Sequence, residues 1–206
     1  MKWSWILTLL SALLLAAAGT ASAQTTTFHA SGEFAETFAN ANGTFFTIFA
    51  ARGCPTDPCF TNNTILVFFA TIRTANGVAF VTGDGVIPDS AFDASSPDHA
   101  TLNVDTSQLS GFNSTSCTFV SGRGFVCQPG PAGVIQAEWK RTRAGSSTRV
   151  EEDHTTQGPF VTHSHKNQDF FSAASTGSFF GTSFSDSRRS EIGTNNNTVI
   201  TRTQQN

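Results

Sequence analysis

TILVFFATIRTANGVAFVTG, residues 64–83, is a pair of apolar runs hinged on an Asn-Gly pair. Both runs are rich in β-branched and aromatic residues, which suit a pleated, packed surface better than a helix. Asn76 and Gly77 both tolerate the positive φ of a type I′ turn, the tightest link between antiparallel strands. The stretch therefore predicts a hairpin, ILVFFATIRT against GVAFVTG. Neither run alternates strictly, so both read as central strands covered on both faces.

The same pattern recurs on either side. GEFAETFA leads through the turn ANGT, with Asn42-Gly43, into TFFTIFAA. In ATLNVDT, alternation turns Ala100, Leu102 and Val104 inward; in GVIQAEWKRT it turns Ile135, Ala137 and Trp139 inward. TGSFFGTSF and NTVITR supply two later strands. No amphipathic helix is evident beyond residue 24, so the fold class is all-β: a single-domain antiparallel β-sandwich or barrel.

The N-terminus reads differently. Lys2 precedes an apolar run from Trp5 to about Ala18, and Ala21-Ser22-Ala23 is a small-residue cleavage pattern. This is the grammar of a secretory signal peptide, and the run is too short for a stable membrane helix. The expected organisation is a signal peptide at 1–23, one all-β domain at 24–193, and a last strand with a frayed polar tail at 194–206. CQPGPAG, residues 127–133, is the one stretch that resembles an internal boundary. Residues 141–166 hold too few apolar side chains to support a separate core. The expected location is secreted, periplasmic or extracellular.

An oxidising compartment makes an even cysteine count a disulfide framework. Sequence-local pairing gives Cys54–Cys59, pinning a proline-rich turn, and Cys117–Cys127, closing a small hairpin around SGRG. The spacing fits neither a C-x-x-C redox motif nor a zinc knuckle.

Charge excludes some partners. The chain holds 12 Lys+Arg against 15 Asp+Glu, so it offers no basic footprint for nucleic acid or an anionic membrane. Yet 20 phenylalanines are far too many for a disordered chain. Tyr is absent, and Trp139 is the only Trp after the leader, which disfavours a stacked-aromatic sugar platform. Sequons stand at Asn42, Asn62, Asn113 and Asn196.

Three groups of residues carry potential chemistry. RVEEDHTTQGPFVTHSHKNQDF, residues 149–170, reads as a hairpin turning at Gln157-Gly158. That register sets His154 opposite Val161 and Glu152 opposite His163. A shift by one sets Asp153 against His163 and Glu151 against His165. Either places carboxylates beside the His163/His165 pair, a possible ligand set for Zn²⁺ or Cu²⁺ together with His154. Strands polar on both faces equally make a solvated edge, and that is the preferred reading. The second group, Asp84, Asp89, Asp93, Asp98 and Asp105, matches ordinary turn residues as well as a calcium loop. The third is a set of carboxylates, Glu33, Glu36 and Glu138, any two of which could in principle make a glycosidase pair. Ser183 and Ser185 lack a nucleophile-elbow context. No catalytic, metal or cofactor residue is assigned, and no cofactor is expected.

The expectation is an exported, non-enzymatic binding, adhesion or structural module for an extracellular ligand or surface. It binds no nucleic acid and has no membrane span after processing. A metal-dependent protein using the His154/His163/His165 hairpin is the first rival. A hydrolase assembled from distant strands is the second.

Overall fold

The computed structural model describes residues 25–53, 63–74 and 77–203. The expected leader, the Cys54–Cys59 pair, Asn62 and Asn76 lie outside the described residues. What is described is almost entirely strand. The strands are β1 (Thr25–Ala41), β2 (Thr44–Arg52), β3 (Thr64–Thr74), β4 (Gly77–Ile87), β5 (Phe92–Ser96) and β6 (His99–Asp105). They continue with β7 (Asn113–Val120), β8 (Gly124–Pro129), β9 (Val134–Arg141), β10 (Ser147–Gln157), β11 (Phe160–Phe179) and β12 (Thr182–Thr203). All pairings are antiparallel, in the order β5-β6-β9-β11-β12-β1-β2-β3-β4-β7-β8. β11 is long enough to take two neighbours on one side, β10 along Phe160–Phe170 and β9 along Ala173–Phe179.

The sheet is not closed, so the architecture is sandwich-like rather than a barrel. It folds so that its two halves share one core. Phe46 of β2 stacks on Phe179 of β11 at 4.8 Å and meets Phe184 of β12 at 5.1 Å. Phe68 of β3 packs on Phe179, Phe180 and Phe112. The fully buried Trp139 of β9 donates its indole N–H to the Glu36 carbonyl of β1 at 3.0 Å. Between Ala173 and Ser175 of β11 the register shifts, with the extra residues on β12 between Asp186 and Ser190, close to where β11 changes neighbour. Irregularities of this kind bend a sheet locally. Arg52 adds a polar clasp, donating to the Asp89 and Phe92 carbonyls, and Thr64 donates to the Asp89 carboxylate at 2.6 Å.

The inward positions read from alternation in β6 and β9 are all buried, and the β3–β4 pairing is the expected one. Asn42 and Gly43 both take positive φ, the signature of a type I′ turn. Three expectations need correction. Gly77 pairs with Thr74 instead of sitting in the turn. TGSFFGTSF is a hairpin, not a strand: Phe180 and Gly181 take positive φ between β11 and β12. Phe is a poor residue for that conformation, but its ring packs against Phe68 and Phe179, and tertiary burial overrides local preference. NTVITR is then the far end of β12, which runs without a break through residue 194.

The third correction decides where function can lie. β3 is covered on one face only. Leu66, Phe68 and Ala70 are buried, whereas Val67 and Phe69 remain 40% and 37% exposed. Apolar residues on both faces of a strand signal two-sided burial only when something lies on the second face, and among the described residues nothing does.

Candidate functional site

The outer face of the sheet carries a diagonal path of phenylalanines. Phe34 of β1 sits over Gly193 of β12, where a Cβ would collide with its ring. It touches Phe170 of β11 at 5.3 Å and Phe49 of β2 at 6.0 Å. Phe49 lies opposite Val67. The path continues from Phe69 to Phe80 at 6.4 Å, from Phe80 to Phe125 at 5.9 Å, and from Phe125 to Phe119 at 5.6 Å. Phe69 and Phe80 are diagonal neighbours and Phe119 and Phe125 are directly opposed, both within reach of aromatic side chains.

Exposure rises along the path. Phe34 is buried, Phe80 is 37% exposed, and Phe119 and Phe125 reach 59% and 63%. The expected Cys117–Cys127 bond is formed on this face, joining β7 to β8 directly beside Phe80. Within the stretch from Phe69 to Phe119 the outward neighbours are Thr71, Thr82, Thr115 and the disulfide, all uncharged. Arg73 and Asp84 lie at its margins, in register with Val78 and Val67.

The 149–170 hairpin takes neither expected register. Gln157 pairs with Phe160, so Gly158 and Pro159 form the turn. Gly158 supplies a positive φ, and Pro159, which has no N–H for a ladder, is kept out of the strand. His154 therefore faces His163, with rings stacked at 4.0 Å, and Glu152 faces His165 at 3.3 Å. Glu151 is engaged on the other face by Arg149 at 2.5 Å and Lys166 at 3.6 Å. Every residue of β10 is exposed. Among the described residues, no group of three or more His, Cys, Asp or Glu is arranged to hold a metal ion.

The aspartates do not converge. Asp89 accepts from Thr64, Asp93 from the Ser95 N–H, Asp105 from Ser107, and Asp98 pairs with Arg141 at 3.0 Å. The Ser95 hydrogen bonds hold the Asp93 carboxyl below its usual range. Asp84 stays on the outer face of β4, opposite Val67.

Of the expected carboxylates, Glu33 and Glu36 fall on opposite faces of β1. Glu138 is held on β9 by His99 at 2.9 Å and Lys140 at 3.0 Å, and these hydrogen bonds lower its pKa. The structure instead brings Glu36 opposite Glu191, a pair that strand patterns alone miss because β1 and β12 come from opposite ends of the chain. Burial, and then the Glu191 charge, raise the Glu36 pKa. Glu191 borders a shallow cleft with Arg143, Phe170 and Ser172.

No family model, curated protein or solved structure matches this chain.

Proposed function

We propose that this chain is an exported, non-enzymatic binding module, and that its working surface is the aromatic outer face formed by β3, β4, β7 and β8. One observation carries the reading: Phe69, Phe80, Phe125 and Phe119 form a contiguous, uncharged ridge that the fold leaves in water. Soluble domains rarely leave such a patch without use for it. The leader pattern and the Cys117–Cys127 bond support export. The matching partner is a neutral, apolar surface, because the ridge offers little hydrogen bonding and no charge.

Adsorption to alkyl-terminated and hydroxyl-terminated monolayers tests the proposal. The wild-type protein retains on the alkyl surface, and added salt leaves that retention intact, since no charge pairing is screened. Phe80→Ser with Phe125→Ser lowers retention at least tenfold. Equal retention by the double variant, with its fold intact by circular dichroism, refutes the assignment of the face.

A further inference from the structure

The sheet exposes edges that differ in chemistry. β10 carries Arg149, Glu151, Glu152 and Asp153, all exposed, and the short β5 carries Asp93. Charges of this kind keep an unpaired strand from recruiting another. β8, GFVCQP, carries none. Among the described residues it pairs only with β7. It is also apolar on both faces, with Phe125 63% exposed on one side and Val126 48% exposed on the other.

The polarity of this edge follows from its pairing with β7. The Gly130 N–H donates to the Ser114 carbonyl at 2.9 Å, so even-numbered residues turn their main-chain groups toward β7. Cys117 and Cys127, with Cα atoms 4.0 Å apart, match the close, non-hydrogen-bonded type of pair. Phe125 and Cys127 accordingly direct their N–H and C=O groups away from the sheet. Pro129, which has no N–H, ends the usable edge.

We propose that β8 is the contact by which two copies of this chain associate, antiparallel and about a two-fold axis. In the register that uses all the outward groups, Phe125 of one copy pairs with Cys127 of the second copy and the reverse. Each pair exchanges both of its N–H···O bonds, and Val126 meets Val126 of the second copy on the axis. Arg123 then faces Pro129 of the second copy, so no like charges meet. The two-fold axis is normal to the sheet, which leaves both aromatic faces on the same side as one surface of doubled extent. A second copy suits this edge because it is uncharged and apolar on both sides, as its partner must be. Edge-to-edge pairing buries the β8 main chain, Val126 and the rim of Phe125 and leaves the outward rings free, so the contact is smaller than roughly 1,000 Å² and belongs to the weak, transient class. The association is therefore reversible and micromolar.

Sedimentation equilibrium of the oxidised protein from about 5 to 300 μM spans that affinity range. A monomer–dimer equilibrium is expected. Val126→Lys weakens it at least tenfold by placing two ammonium groups on the axis, while Thr156→Lys on β10 leaves it unchanged. Val126→Cys forms a covalent dimer on oxidation, which decides the matter if the lysine variant fails to fold. A wild-type protein that stays monomeric overturns the inference, as does a dimer untouched by Val126→Lys or a Val126→Cys protein that remains monomeric on oxidation. The face is tested separately: a wild-type protein that stays monomeric yet adsorbs to the alkyl surface refutes the edge alone.

Discussion

Replacing Trp139 tests whether the two halves of the sheet share a core. The indole is fully buried on β9 and its N–H reaches the Glu36 carbonyl of β1 at 3.0 Å, so it is both filler and tie. Trp139→Phe removes that hydrogen bond, about 1 kcal/mol net. It also removes two ring carbons, about 0.8 kcal/mol each by analogy with buried methylenes. The loss comes to about 2–3 kcal/mol, or roughly 5–10 °C in melting temperature for a domain of this size. Trp139→Ala leaves a larger cavity between β9 and β1 and costs about 3–5 kcal/mol. Urea unfolding followed by far-ultraviolet circular dichroism measures both, independently of the fluorophore removed. A Trp139→Ala cost below about 1 kcal/mol, with an unchanged denaturant slope, would refute the packing of β9 against β1.

Other consequences follow from the same geometry. Glu36 is half-buried opposite Glu191, and its raised pKa means that folding favours its protonated form. Its unfavourable contribution is absent below the unfolded value and grows as pH rises through the raised folded value. Glu36→Gln should therefore stabilise the protein by roughly 0.2–1 kcal/mol at pH 7 and by nothing at pH 3, read from paired thermal melts. Replacing Cys117 and Cys127 together by Ser opens a loop of sequence separation 10 and should cost about 2–3 kcal/mol by urea titration. Gly193→Ala drives a methyl into the Phe34 ring and the Asp169 carbonyl; overpacking typically costs about 1–3 kcal/mol, and a melt no lower than wild type would contradict the seating of Phe34.

Ala100, Leu102 and Val104, like Ile135, Ala137 and Trp139, were legible because alternation with a polar outer face has one solution. Cys117–Cys127 was legible because short spacing around a turn leaves little choice. The registers of β10–β11 and β11–β12 were not. Gln157-Gly158-Pro159 permits several two-residue loops, and only the refusal of proline to donate to a ladder selects Gly158-Pro159. Phe180 in a left-handed turn leaves no local signature at all, because its reason is the ring of Phe68, more than a hundred residues earlier.

The sequence by itself determined the all-β class, the main inward faces and a local disulfide, all of which arise from interactions between near neighbours. It could not say which apolar faces would be covered. β3 has Phe68 and Phe69 side by side with the same intrinsic tendency to leave water. Phe68 is buried because the end of β11 and the turn after it fold over it, and Phe69 stays exposed on the outer face. The Glu36–Glu191 pair and the open edge at β8 have the same origin. Each depends on which strands become neighbours, and that is settled by the long-range packing of the two ends of the chain.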